Sequence, residues 1–285
     1  MSMVLVAGAS GVLGREVARL FQSRGHRVRA LSRKKSLPGP FDEVFTADAR
    51  DPKALAGAAK GCELVFSCLG ASVMPEFGKG WSPYTSVDTP ANLALISEAK
   101  QQAVKRFVYV SVYHLEQMRT LAYVRAHEDV VTALEASGLK SAVIRPTGFF
   151  SALQGLLPLA KKGALPVFGS GNTTSNPIDD RDLAQLCFEA AGSDEARLEV
   201  AAGGPEVLSR LQMNGLAFDA VGKPPKTMRA PVWAASLASV MLYPLNPRIA
   251  QFIAFLGALS RHDVVAPSRG TKKLGDALKA AVSAS

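Results

Sequence analysis

The sequence predicts an α/β fold, a doubly wound parallel sheet with helices on both faces and a small C-terminal lobe. Three observations carry that expectation. Short apolar runs alternate with helical periods through the first 150 residues, the rhythm of parallel strands joined by right-handed helical crossovers. The strand-like runs are apolar at successive positions, as strands covered on both faces are. The first run, Val4-Leu5-Val6-Ala7, ends in Gly8, Gly11 and Gly14, and a helical period starts directly behind them.

Val12, Leu13, Val17, Leu20 and Phe21 recur at helical spacing as far as Arg24, and Gly25 ends that helix. Val28–Leu31 reads as the second strand and Glu43–Thr46 as the third. Asp51-Pro52 opens a short helix expected to reach Ala59, and Glu63–Cys68 is the fourth strand, closing on Leu69-Gly70. Ala71–Asp88 is rich in Gly, Pro and Ser and reads as a loop. A helix over Thr89–Gln102 leads to a fifth strand, Arg106–Val112. A helix over Leu121–Ser137, closed by Gly138, leads to a sixth strand, Ser141–Ile144, before Arg145-Pro146.

After Thr147 the rhythm changes. Gly148–Lys162 reads as a helix interrupted by Pro158, Ala164–Phe168 as a strand and Ser170–Asn176 as a polar turn. Asp180 and Asp182 stand at the start of a helix to Ala191, where caps and dipole partners belong. Short elements resume at Leu198–Ala201, Gly203-Gly204-Pro205 and Val207. The expected division is a first domain over residues 1–165, its sheet completed by later segments, and a smaller substrate or interaction lobe over 166–285. Two apolar runs in that lobe, Val232–Tyr243 and Ile249–Leu259, both fall short of the ~18–20 residues that cross a bilayer. Packing on the protein or a partner subunit, and contact with a membrane surface or greasy substrate, are both open for 232–260.

With 48% apolar and 20% charged residues the chain is an ordinary globular one, long enough for a large α/β unit. The net charge of +9 invites a nucleic-acid reading, but no helix-turn-helix, zinc or aromatic–basic RNA motif accompanies it, so none is expected. Eight of the basic residues fall between Arg15 and Lys35, where a phosphorylated ligand explains part of the cluster. The three cysteines, Cys62, Cys68 and Cys187, form no C-x-x-C pair and read as reduced core residues of a cytoplasmic protein, with a membrane-peripheral position left open by 232–260. The first apolar run is too short for a signal peptide. The four histidines share no ligand spacing, so no metal is expected. Nothing separates monomer from homodimer.

A strand, a glycine turn and a helix start form a cradle for a pyrophosphate: the turn is tight, the backbone comes close to the ligand, and free N–H groups and the positive dipole end face it. The spacing G-x-x-G-x-x-G makes Gly8, Ser10, Gly11, Val12, Leu13 and Gly14 the candidate cofactor turn. The second strand ends Ala30-Leu31-Ser32 and runs into Arg33-Lys34-Lys35. An NAD-specific fold places a carboxylate there for the ribose diol. Here Ser32, Arg33 and Lys34 suit a 2′-phosphate, which predicts NADP(H) over NAD(H). Asp48 either reaches the adenine edge or is a turn residue before Asp51-Pro52.

These pieces resemble the atypical short-chain dehydrogenase/reductase superfamily, in its NmrA-like branch. The likeness runs through GASGVLG at Gly8–Gly14, LSRK at Leu31–Lys34, SCLGA at Ser67–Ala71 and the Asp88…Asn92 helix. It continues with KRFVYVSV at Lys105–Val112 and SGLKSAVIRPTGFF at Ser137–Phe150, covering residues 3–190. It implies a Rossmann-type domain holding NADP(H), with Cys68, Leu69 and Gly70 and the stretch Pro146, Thr147, Gly148 and Phe149 among the cofactor residues. The superfamily's reductases use Ser, Tyr and Lys, the last two as Tyr-x-x-x-Lys on one helix. At that place this chain has Tyr123-Val124-Arg125-Ala126-His127, so the spacing is kept and the lysine is replaced by His127. Ser111 holds the serine position, and Tyr113 is a second candidate phenol.

The resemblance implies a reductase of a carbonyl, quinone or conjugated double bond in a small apolar substrate. Tyr123, His127 and Ser111 are its candidate catalytic residues, with His127 an acid near neutral pH or a partner of the ribose hydroxyls. Phe149, Phe150, Leu153, Leu156 and Leu157 are expected to line the apolar pocket. The alternative is an NADP(H)-binding redox sensor or assembly factor without turnover, which the missing lysine and the apolar 232–260 region suit. A nucleotide-sugar epimerase-like activity is disfavoured by the same missing lysine.

Overall fold

The computed structural model describes residues 2–70 and 82–284, so the expected loop Ala71–Asp88 falls outside the described residues over 71–81. In chain order the elements begin β1 (Met3–Ala7), α1 (Val12–Ser23), β2 (Arg27–Ser32), β3 (Glu43–Thr46), α2 (Pro52–Leu55) and β4 (Cys62–Ser67). They continue α3 (Asp88–Gln101), β5 (Arg106–Val110), α4 (Ala122–Ser137), β6 (Ser141–Pro146), α5 (Phe150–Leu153), α6 (Leu156–Lys162), β7 (Leu165–Phe168) and β8 (Thr174–Ser175). The rest are α7 (Asp180–Ala191), β9 (Arg197–Ala202), β10 (Leu208–Ser209), α8 (Arg210–Ala220), β11 (Thr227–Ala230), α9 (Val232–Leu242), α10 (Pro247–Leu259) and α11 (Leu274–Ser283).

Seven strands form one sheet in the order β3-β2-β1-β4-β5-β6-β9, and every pairing in it is parallel. Alternate side chains of a strand point to opposite faces, and the apolar runs serve both. Leu5, Ala7, Val65, Phe107, Tyr109 and Val143 pack under α3 and α4. Val4, Val6, Leu64, Phe66, Val108 and Ile144 pack under α1 and α7. The chain leaves β1 towards β2 and β3, then returns through β4 to the other side. The β1/β4 boundary is therefore the switch point of a Rossmann-type sheet, where ligands bind beyond the strand ends.

The later segments fold back on this sheet. β9 is its seventh strand and α7 covers one face, while β8–β10 and β7–β11 make two small sheets of their own. Several expectations need correction. The helix from Asp51 stops at Leu55, where its Asp51 cap and Pro52 give way to turns. Pro158 does not interrupt a helix: it lies in the first turn of α6, where its absent N–H has no partner to lose, and the break falls at Gln154-Gly155. The polar turn Ser170–Asn176 contains β8, paired antiparallel with β10. Asp179, not Asp180 or Asp182, caps α7, accepting from the Arg181 N–H at 2.9 Å. Asp180 instead binds the Ser151 N–H and hydroxyl, and Asp182 binds the amides of Thr271 and Lys272.

The two apolar runs of 232–260 part company. α10 packs against α4, with Phe255 and Leu259 buried beside Tyr123 and Val124. α9 lies outside α10 and leaves one face open. No helix among the described residues is long and apolar enough to cross a membrane.

Candidate cofactor site

β1 and β4 run in register, Ala7 opposite Ser67, so Gly8 and Cys68 emerge side by side at the switch point. Gly8 turns the chain at φ +88°, and a Cβ on it would lie 2.8 Å from the Cys68 carbonyl oxygen. The Gly11 N–H closes the turn onto the Gly8 carbonyl at 3.0 Å. Gly11 is also the N-cap of α1, and no side chain caps that helix, so its first-turn amides and dipole are directed at the crevice. A Cβ on Gly14 would stand 2.4 Å from the Gly8 carbonyl oxygen, so only glycine lets α1 sit so close to the strand end. Ser10, Gly11 and Val12 are exposed, whereas Leu13 packs into the core and offers the site its backbone alone.

At the end of β2 the Ser32 hydroxyl accepts the Lys34 N–H at 3.0 Å, shaping a corner on which Arg33 and Lys34 stand exposed. The Asp48 carboxylate takes the guanidinium of Arg50 at 2.6 Å and its N–H at 3.0 Å. Those bonds, with the charge of Arg33, hold its carboxyl down at about 2. At the end of β4 the buried Ser67 hydroxyl donates to Asn92 at 2.6 Å, and the Asn92 amide donates to the carbonyls of Leu69 at 3.0 Å and Asp88 at 2.8 Å. This clamp fixes Leu69 and leads to Gly70, where a Cβ would meet the Asp88 carboxylate at 3.3 Å. Burial pushes the Cys68 thiol up to about 12, away from the thiolate form.

Beyond β6 the stretch Pro146–Phe149 is braced by residues 176–178. The Thr147 hydroxyl donates to the Asn176 carbonyl at 2.7 Å, and the Ile178 N–H donates to Gly148 at 2.9 Å. Gly148 takes φ +150° there.

Tyr123 and His127 lie one turn apart on α4 and touch edge to face, their ring centroids 4.9 Å apart. Tyr84 and Phe255 close over Tyr123 at 5.0 and 4.9 Å, and burial raises its phenol above the ordinary range. His127 Nδ1 shares a 2.7 Å hydrogen bond with the buried Tyr109 hydroxyl. Burial pulls the imidazole down from its ordinary value to about 4. Arg125 points to solvent, and Tyr113 is half-buried with its N–H on the Pro146 carbonyl at 2.9 Å.

Ser111 follows β5 and is buried, with the Arg145 guanidinium 3.4 Å from its hydroxyl. Arg145 is the centre of an ion network that sequence reasoning missed. Its guanidinium is bonded to Glu128, and to Glu199 at 2.5 Å. His114 Nε2 lies 3.3 Å from the same Glu128 carboxylate. Burial works against the Glu128 charge, but the hydrogen bonds of His114 and Arg145 outweigh it and hold the group at about 2. Glu128 and Arg145 are seventeen residues apart on a helix and a strand, so no spacing rule announces the pair.

Of the residues expected to line the apolar pocket, Phe150 alone borders the cavity found here. Phe150 and Leu157 are core, with Leu153 and Leu156 packed beside them against α8 and α11, and Phe149 joins the sheet core. A cavity of about 630 Å³ opens between α1, α5, α7 and α11, lined by Val12, Phe150, Asp180 and Lys272 among others, so it adjoins the glycine turn. Among the described residues no group of three His, Cys, Asp or Glu could hold a metal.

The model of an NAD(P)H-binding family matches residues 8–194. The chain is 31% identical over 252 residues to divinyl chlorophyllide a 8-vinyl-reductase of Zea mays, covering 80% of this chain and 62% of that one. It is 24% identical over 244 residues to the photosystem II assembly factor Ycf39 of Trieres chinensis, covering 83% and 74%. The chain thus spans less than two thirds of the length of the maize relative. Its fold is similar to that of the NADPH-dependent quinone oxidoreductase QOR2 of Escherichia coli, with a TM-score of 0.69 at 19% identity over 98% of this chain and 99% of that one. A parallel sheet with its switch point at an uncapped glycine turn, and a family match across residues 8–194, place this chain in the NAD(P)H-binding family.

Proposed function

We propose that this protein is an NADP(H)-dependent reductase acting on a carbonyl, quinone or conjugated double bond of an apolar substrate. The observation that carries the cofactor reading is the uncapped α1 N-terminus beside Arg33 and Lys34. The amides after Gly11 take the pyrophosphate. The exposed guanidinium and ammonium, with no carboxylate at the end of β2, take the 2′-phosphate. NADPH supplies the hydride when bound; the protein supplies placement and a proton.

Gly70 and the braced Pro146–Phe149 stretch flank the nicotinamide end. His127, neutral and anchored through Nδ1 to Tyr109, turns Nε2 to a ribose hydroxyl and so takes the binding half of the missing lysine's role. Tyr123, kept protonated by burial, is the proton donor to the substrate. The maize relative, a reductase by name, supports this reading. The Ycf39 relative supports the second one, a dinucleotide-binding assembly factor, and a neutral histidine in place of the lysine favours it too. Three unpaired cysteines suit a reducing, cytoplasm-like compartment.

Calorimetric titration with NADPH and NADH tests the cofactor. NADPH should bind at least tenfold tighter, and Arg33→Ala with Lys34→Ala should erase that preference; equal affinities in the wild type refute it. Absorbance at the NADPH band with a panel of quinones and enones tests turnover. Consumption lost in Tyr123→Phe supports the reductase, whereas tight binding with no consumption of any acceptor supports the assembly factor.

A further inference from the structure

We propose that the outer face of α9 docks on an anionic lipid surface, with the helix lying in the plane of the interface. Trp233, Leu237, Val240 and Met241 recur one helical turn apart, so they form a single stripe. They are 65%, 52%, 72% and 68% exposed, and Tyr243 and Leu245 extend the stripe past the helix end at 51% and 65%. An open apolar face of this extent on one helix marks a contact surface rather than scattered surface residues. The opposite face is filled: Ala235 is fully buried on α10, where a Cβ on Gly257 would stand 3.0 Å from it.

Three features point to lipid. No charged residue occurs from Ala230 to Pro247, so no charge in the stretch resists burial in hydrocarbon. The Ser239 hydroxyl is already bonded to the Ser236 carbonyl at 2.8 Å, which removes its need for water. Trp233 and Tyr243 mark the two ends about 15 Å apart along the helix, the placement of aromatic anchors at a headgroup layer. The flanks supply charge. Between Asp219 and Asp263 there is no carboxylate, while Lys223, Lys226, Arg229 and Arg261 are exposed. Arg261 reaches the Ser236 hydroxyl at 3.3 Å, which brings a cation against α9 itself. An apolar helix face with a basic rim is the pattern of interfacial helices on anionic membranes. A second copy of this chain would set like charges against each other on a protein of net charge +9.

The test uses the full chain and vesicles of phosphatidylcholine alone or with phosphatidylglycerol. Trp81 and Trp233 are its two tryptophans, so Trp81→Phe makes Trp233 the reporter. The expected results are a blue shift of its emission and co-sedimentation with the phosphatidylglycerol vesicles, both weakened by high salt. The double variant Leu237→Glu, Val240→Glu should lower the partition coefficient more than tenfold with an unchanged melting curve. Lys226→Glu with Arg229→Glu, which leaves the apolar stripe intact, should lower it about tenfold or more. No binding to either vesicle, or binding that neither variant weakens, overturns the proposal. So does a dimer in light scattering that the Leu237→Glu, Val240→Glu variant dissolves, which would make a second copy the occupant.

Discussion

Replacing His127 by asparagine should flatten the acid side of the stability curve. The imidazole is enclosed by Tyr109, Tyr123 and the sheet, and burial lowers it from an ordinary 6.5 to about 4. The unfolded chain therefore takes up a proton below 6.5 that the native state refuses until about 4. Stability is complete above 6.5 and is lost as pH falls between the two values. From neutral pH to pH 5 the loss due to this group is about 2 kcal/mol, at 1.36 kcal/mol per unit of pKa. His114 acts in the opposite sense: its hydrogen bond to Glu128 raises it, so its contribution is present at low pH and lost as pH rises through its native value. Subtracting the variant from the wild type cancels that term. Asparagine still bonds the Tyr109 hydroxyl but does not titrate. Urea unfolding at neutral pH and at pH 5 should show the wild type losing about 2 kcal/mol more than the variant. An equal loss in both proteins, or an NMR titration of the His127 ring near 6.5, refutes the reasoning.

Two further outcomes follow from the site. Gly14→Ala puts a methyl 2.4 Å from a backbone carbonyl that cannot swing aside, so it should destabilise the fold and abolish NADPH affinity together. Thermal melting and calorimetric titration read the two effects. Glu128→Gln leaves the buried Arg145 guanidinium paired with Glu199 alone and should cost about 2 kcal/mol, whereas Glu128→Leu with Arg145→Met should cost less than that single change. Denaturant unfolding of both variants separates these outcomes.

The sheet was legible because the centres of its strands are apolar runs and helices such as α1 carry a clear period. Strand boundaries moved little, the ends of β5 and β6 by two residues each, whereas the helix from Asp51 ended four residues early. The glycine turn was legible for a steric reason. A Cβ on Gly8 or Gly14 would strike a backbone atom, and a sequence records such contacts as glycine. The Ser67–Asn92 clamp left a trace in the Asp88…Asn92 spacing. The Arg145–Glu128–His114 network left none, since its members come from separate elements that only the crossover brings together.

By itself the sequence determined the layered parallel fold, the glycine turn and the basic corner at Arg33-Lys34, because local backbone chemistry and periodicity write all three. Tertiary structure alone decided the state of His127 and the fate of the two apolar runs. A histidine's charge depends on what encloses it, and here burial beside Tyr109 and Tyr123 lowers the pKa of the ring. Two runs of similar hydropathy became a core helix and a surface helix because burial is set by the neighbour: α10 packs on both α4 and α9, whereas α9 packs on α10 and touches β7, leaving its outer face open.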